Sequence, residues 1–131
     1  MKVKYIVFPK NFRFTAINLF GCFLVNKQYE KDLKSCPATY EKLIRHESIH
    51  TAQGKELLWL FFYLFYVLEW LFRLVQYRNA KTADGKKDRK AAYRNISFER
   101  EVYANETDNQ YLKRRKRFAS FACIRTIKHL K

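Results

Sequence analysis

Residues Leu43 to Gln53 read LIRHESIHTAQ, and within them His46-Glu47-Ser48-Ile49-His50 forms an HExxH pattern. On an α-helix, residues four apart lie one turn apart on the same face, so both imidazoles can aim at one point. Two imidazole nitrogens at that spacing suit Zn²⁺, and a carboxylate beside the first His stands next to the ion rather than on it, where it can act as a general base toward water. The pattern therefore requires a helix and a third ligand from elsewhere. Pro37 suits an early helical position, Ser35 or Thr39 can cap, and Gly54 is placed to end the helix, which gives a helix over 37–53. Leu43, His46, Glu47 and His50 then share one stripe. Two of only three histidines fall inside the motif. The competing reading is a fortuitous pair on a solvated helix face.

A chain of 131 residues is one domain, with 48% apolar residues and an aromatic share of 18%. Lys and Arg number 27 against 12 Asp and Glu, a formal charge of +15. A small chain this basic and aromatic meets a polyanion, either nucleic acid or an anionic membrane surface. Cys22, Cys36 and Cys123 are odd in number and widely spaced, which argues against a disulfide framework, and no CxxC pair offers a zinc knuckle. Such thiols suit a reducing compartment. The opening MKVKYIVFPKNFRF has neither a long apolar core nor a small-residue cleavage site, so no secretory signal is read from it.

Upstream of the motif the pattern is β. Val3, Tyr5 and Val7 alternate with Lys2 and Lys4, Pro9-Lys10-Asn11 is a turn signal, and Phe12 to Val25 is β-rich with Gly21 marking a turn or bulge. The expectation is an antiparallel hairpin or small three-stranded sheet within residues 1–35, closing in a polar loop from Asn26 to Ser35. The fold class is α+β: this sheet, the HExxH helix, a long aromatic apolar helix, then a second ligand-bearing helix with a basic tail. An edge strand beside a metal helix can hold an extended peptide by backbone hydrogen bonds.

Downstream comes KELLWLFFYLFYVLEWLFRLVQYR, residues 55–78. From Leu57 to Val75 only Glu69 and Arg73 interrupt the apolar run, and their i, i+4 spacing lets them pair. A helix apolar nearly all round wants burial in lipid, in a core, or against a second subunit in a homodimer. As a single span it would place everything after residue 79 ~30 Å from the His pair, beyond reach as a ligand. The expectation is a monotopic helix lying on the cytoplasmic side of a membrane, ahead of a scaffold helix in a dimer and of a true span.

Residues 79–95 form a connector, polar around Asp84-Gly85 and expected to be the most mobile part. A helix follows over 97–117 with Ser97 as cap. On it Glu99, Val102, Tyr103, Glu106 and Gln110 share a stripe, and Glu101 points away. The tail 118–131 and the preceding Lys113-Arg114-Arg115-Lys116-Arg117 mix cations with Phe118, Phe121, Ile124 and Ile127, a pattern for anionic lipid. No helix-turn-helix, RNP or zinc-finger pattern supports nucleic-acid binding. Candidates for the third ligand are Glu99, Glu101, Glu106 and His129. His129 lies in the tail and Glu101 off the stripe, while Glu99 and Glu106, two turns apart on one face, are not separated by spacing.

HExxH followed on a later helix by Phe98-Glu99-Arg100-Glu101-Val102-Tyr103 resembles the gluzincin class of zinc metallopeptidases in a minimal single-domain form. Those enzymes often carry E-x-x-A with a supporting Asp next; here Val102 replaces the small residue and Tyr103 the Asp. HESIHTAQ, an aromatic helix and AYRNISFEREVYANE are also similar to small membrane-associated bacterial proteins. The resemblance covers roughly residues 40–110. It implies that His46, His50 and Glu99 hold Zn²⁺, that Glu47 handles the proton, and that the substrate is a peptide. Tyr103, Tyr93 and Arg94 are candidates for stabilising the oxyanion; Gln53, one turn past His50, is placed to orient a ligand, and Ser48 to serve structure. The function expected is a membrane-associated zinc metallopeptidase, with a non-catalytic basic membrane-surface protein and a nucleic-acid-binding protein as alternatives.

Overall fold

The computed structural model describes residues 2–9 and 14–124. The fold is α+β, a small sheet followed by helices. Strands β1 (Lys2–Ile6), β2 (Ala16–Leu19) and β3 (Cys22–Asn26) form one sheet in the order β1-β3-β2. β2 and β3 make the expected antiparallel hairpin, with Ile17 opposite Leu24. β1 instead joins β3 in parallel, with Val3 opposite Phe23, so the sheet is mixed rather than antiparallel. The reason is burial. β3 carries Phe23 and Val25, both 0% exposed, and the most apolar strand takes the centre between two flanking ones. The hairpin turn has Phe20 and Gly21 at φ 51° and 79°, a pair of left-handed positions that matches the twist of the strands. Phe20 is held there by packing: its ring meets Trp59 and Tyr63, and its N–H donates to the Tyr63 hydroxyl.

The segment expected as a polar loop forms a 3₁₀ turn (Lys27–Tyr29) and then α1 (Glu30–Ser35). Glu30 and Asp32 sit in its first turn and Lys34 in its last, in keeping with the helix dipole, and Leu33 anchors it under the sheet beside Phe23 and Val25. Helix α2 (Pro37–Glu56) carries the HExxH motif. Pro37 opens it as expected, but neither Ser35 nor Thr39 caps it: Cys36 holds the cap position. Gly54 does not end it. A Cβ there would stand 2.3 Å from the Trp59 ring, so Gly54 is the gap into which that ring fits.

Leu58 and Trp59, at φ 53° and 55°, turn the chain through a bend of 112° into α3 (Leu60–Gln76). α3 is turned inside out. Phe62, Tyr66, Glu69 and Arg73 face the protein, with Arg73 only 1% exposed, while Leu60, Phe72 and Val75 on the other side are 71%, 63% and 67% exposed. Glu69 and Arg73 pair as their spacing predicts. Among the described residues no single helix is long and apolar enough to cross a membrane.

After a turn at Thr82–Gly85, closed by Gly85 N–H to the Thr82 carbonyl, come α4 (Ala91–Arg94) and α5 (Ser97–Asn105). The helix expected to continue to residue 117 stops at Asn105. The Asp108 carboxylate accepts from Gln110 N–H and restarts the chain as α6 (Tyr111–Arg114), followed by α7 (Ala119–Ala122). Ser97 is not the cap expected of it; its N–H and hydroxyl both donate to the Glu69 carboxylate, which ties α5 to α3. Ile127 and His129 lie outside the described residues.

Candidate metal centre

His46 and His50 project from one face of α2, and Glu99 from the first turn of α5. One ligand atom from each lies within 4.8 Å of the others. His50 Nε2 is 3.1 Å from Glu99 Oε1, and His46 Nε2 is 3.6 Å from Glu99 Oε2. Two ligands each bound at ~2.0–2.1 Å to one tetrahedral ion stand about 3.3 Å apart, and each imidazole lies near that spacing from one of the two Glu99 oxygens. Glu99 Oε2 is buried and, among the described residues, has no hydrogen-bond partner. A buried carboxylate oxygen left unpaired is costly. A cation between it and the two Nε2 atoms fits the donor set. Although α3 lies between the His pair and Glu99 in sequence, it does not part them in space.

The far nitrogens are anchored outward. His46 Nδ1 is 2.8 Å from Glu106 Oε2, and the other Glu106 oxygen meets Lys42 at 3.0 Å. His50 Nδ1 is 2.8 Å from Gln53 Oε1, while Gln53 Nε2 donates to the Phe98 carbonyl and to Glu101. Gln53 has its nitrogen committed as donor, so its oxygen accepts and His50 carries the proton on Nδ1, which fixes the imidazole tautomer. Of the two carboxylates that spacing left unresolved, Glu99 stands between the Nε2 atoms and Glu106 supports one imidazole. Tyr103 lays its ring against His46.

Glu101 does not point away. It is 1% exposed and accepts from Gln53, Tyr111 and Arg115. Arg115 also meets Glu56, so the chain after α5 is clamped to the end of α2. Arg94 pairs with Asp88. Ser48 donates to the Ile44 carbonyl within α2, a structural role as expected. Tyr66 is a site residue that the sequence did not flag: its hydroxyl donates to Glu99 Oε1 at 2.6 Å. One tyrosine among many aromatics in α3 gives no signal of its own.

At His50, Glu99 and Glu47 burial opposes charge, and the neighbours outweigh it at the first two. For His50 burial lowers the pKa, but the Glu99 charge and hydrogen bond outweigh it and push the imidazole up to about 9. For Glu99 burial raises the pKa, and His50 with Tyr66 more than reverses this, holding the carboxylate below its ordinary range. Glu47 goes the other way: burial lifts its carboxyl despite both imidazoles. Tyr66 and Tyr93 are raised by burial and by the Glu99 charge, so both stay protonated donors.

A cleft of about 300 Å³ opens beside the triad, lined in part by Ala16, Asn18, Glu47, Tyr66 and Tyr93. Asn18 Nδ2 donates to the Glu47 carbonyl and to Thr51, which binds β2 to α2. β2 is an edge strand. Thr15 accepts from Asn26 N–H across the ladder, so by alternation Ala16 and Asn18 turn their backbone groups to the open edge, where the Asn18 carbonyl accepts from Tyr63.

No protein-family model, curated protein or solved structure matches this chain.

Proposed function

We propose that the protein is a zinc-dependent metallopeptidase. The observation that carries this reading is the gathering of ligand atoms from His46, His50 and Glu99 within 4.8 Å of one another while Glu106 and Gln53 hold both Nδ1 atoms from behind. Those three residues would hold Zn²⁺, which would supply Lewis acidity toward a peptide carbonyl and toward water at neutral pH. Glu47 borders the same cleft, and its burial raises its proton affinity toward working pH. It takes a proton from the attacking water and passes it to the departing amine as the C–N bond breaks. Tyr66 keeps Glu99 oriented through its hydroxyl. Tyr93, protonated and in the cleft, is placed to donate to the carbonyl oxygen as charge develops on it. The edge of β2, with Ala16 facing outward, suits an extended peptide laid along the cleft as an added strand.

The test is metal content together with proteolysis. Purified protein should contain one equivalent of zinc, lost in His46→Ala and Glu99→Ala. Glu47→Gln should keep the zinc and lose hydrolysis by about 10²–10⁴-fold. Protein free of zinc after purification from metal-replete cells would reject the reading.

A further inference from the structure

α3 contradicts the ordinary rule for a surface helix, in which the apolar side faces the core and the polar side faces water. Its inward side holds, beside the buried Phe62, the polar Tyr66, Glu69 and Arg73, each engaged by hydrogen bonds. Its outward side holds Leu60, Phe61, Leu64, Leu68, Phe72 and Val75, all exposed. This face does not stop at α3. Phe65 meets Phe121 of α7 at 6.4 Å, and Phe121 meets Phe118 at 6.1 Å, both phenylalanines of the α7 segment being exposed. The chain leading to Phe118 exposes Lys113, Arg114, Lys116 and Arg117; Arg114 pairs with Asp108, and Arg117 lies over the Phe118 ring. A shallow cleft of about 400 Å³ runs between Arg114, Lys116, Arg117 and the small Ala119 and Ala122.

We infer that this face docks on an anionic lipid bilayer: the outward side of α3 and the α7 phenylalanines enter the acyl boundary, and the flanking lysines and arginines meet the phosphate headgroups. Charge selects the occupant. A second copy of the chain would bring another +15 against a face already rimmed with cations. Nucleic acid would satisfy the cations but leave a row of leucines and valines in water. An anionic bilayer satisfies both parts. The inference does not depend on the zinc reading. Its consequence for that reading is positional: Phe62, Tyr63 and Tyr66 line the cleft from the inner side of the same helix, so docking holds the cleft about one helix diameter, 10–12 Å, from the acyl boundary.

The test is co-sedimentation of the full-length, zinc-supplemented protein with phosphatidylglycerol vesicles and with phosphatidylcholine vesicles. Strong binding to the first and weak binding to the second is expected. The triple variant Lys113→Glu, Lys116→Glu, Arg117→Glu should bind the anionic vesicles at least about 100-fold more weakly, since each cation near such a surface contributes roughly fivefold. The double variant Leu64→Asp, Leu68→Asp should lose binding while keeping its zinc and its circular dichroism, because neither side chain touches the metal centre. His46→Ala should bind vesicles like the wild type, which separates this inference from the peptidase reading. Equal binding to both lipids, no binding to either, or indifference to both sets of substitutions overturns the inference. So does a stable dimer in lipid-free sedimentation velocity that the double variant dissolves, if vesicle binding is absent.

Discussion

His46 Nδ1 and the Glu106 carboxylate meet at 2.8 Å across a separation of 60 positions in the chain. That contact puts a carboxylate behind the imidazole, a place Tyr103 does not fill with one. A second carboxylate behind a metal-binding imidazole fixes its orientation and raises its basicity, and losing such a group costs 10–100-fold in metal affinity. Glu106→Gln should therefore weaken zinc binding by about that factor, measured by competition with a chromophoric chelator. Glu99→Gln should be worse, because it removes a ligand rather than a support. Equal effects of the two would mean that the roles assigned to them are wrong.

Arg115 is the keystone of a buried charge cluster. It bonds Glu101 and Glu56, and the Glu56 carboxylate also accepts from Phe118 N–H. Arg115→Met strands two carboxylates, one of them 1% exposed, and removing one partner of such a pair costs about 3–5 kcal/mol. The urea midpoint should fall accordingly. Adding Glu101→Gln to Arg115→Met should recover part of the loss, since the stranded charge is then gone. A double variant as unstable as the sum of the two single ones would show that the charges are not coupled.

The metal-free protein should carry a pH signature of the triad. Its His50 binds a proton up to about pH 9, against about 6.5 when unfolded, so its contribution is fully present below 6.5 and is lost as pH rises through about 9. Glu99 is depressed in the folded state, so its contribution is present above about 4.5 and disappears as pH falls through its folded value. Comparing chelator-treated wild type with His50→Gln in urea, the advantage of the wild type should peak between about pH 5 and 6.5 and shrink by pH 10, by at most about 3 kcal/mol. Zinc changes the picture, because a ligand imidazole must give up its Nε2 proton, and binding should release protons into a weakly buffered solution. A difference that does not vary with pH would show that His50 and Glu99 do not share a proton in the folded protein.

The parts of this molecule legible in its sequence are those with a short period or a local motif. HExxH spacing put His46, Glu47 and His50 on one helical face, and the β pattern broken at Gly21 put the hairpin where it is. The Glu69–Arg73 pair followed from i, i+4 geometry. Non-local relations stayed hidden. Nothing in residues 2–26 says that β3 is inserted between β1 and β2, because that depends on which strand buries best once the helices are present. Glu101 reads as pointing away from the stripe that holds Glu99, and only the return of the chain at Arg115 makes it interior. Tyr66 was lost among the aromatics of α3, whose inside-out orientation is set by Glu69 and Arg73 pointing inward to partners on α5 and α3 itself.

Gly54 gives the sharpest test of how the fold holds the site. The sequence offered it as a helix stop, yet α2 runs past it to Glu56, and the position is small because the Trp59 ring lies against it. That ring also stacks on Tyr63 and meets Phe62, so it sets the start of α3. Leu58 and Trp59 hold left-handed backbone conformations that bulky residues avoid, and the packing of Trp59 is what compensates. Gly54→Ala ought to help an ordinary helix by up to about 1 kcal/mol. Here a Cβ would stand 2.3 Å from the ring, the ring must leave, and overpacking of this kind costs about 1–3 kcal/mol. The net expectation is a loss of stability in urea, with an altered tryptophan emission as the ring moves. Because Tyr66 and Glu69 ride on the same helix, zinc affinity should fall as well, although Gly54 touches no ligand. A stabilised Gly54→Ala protein with unchanged zinc affinity would show that the corner between α2 and α3 does not position Glu99.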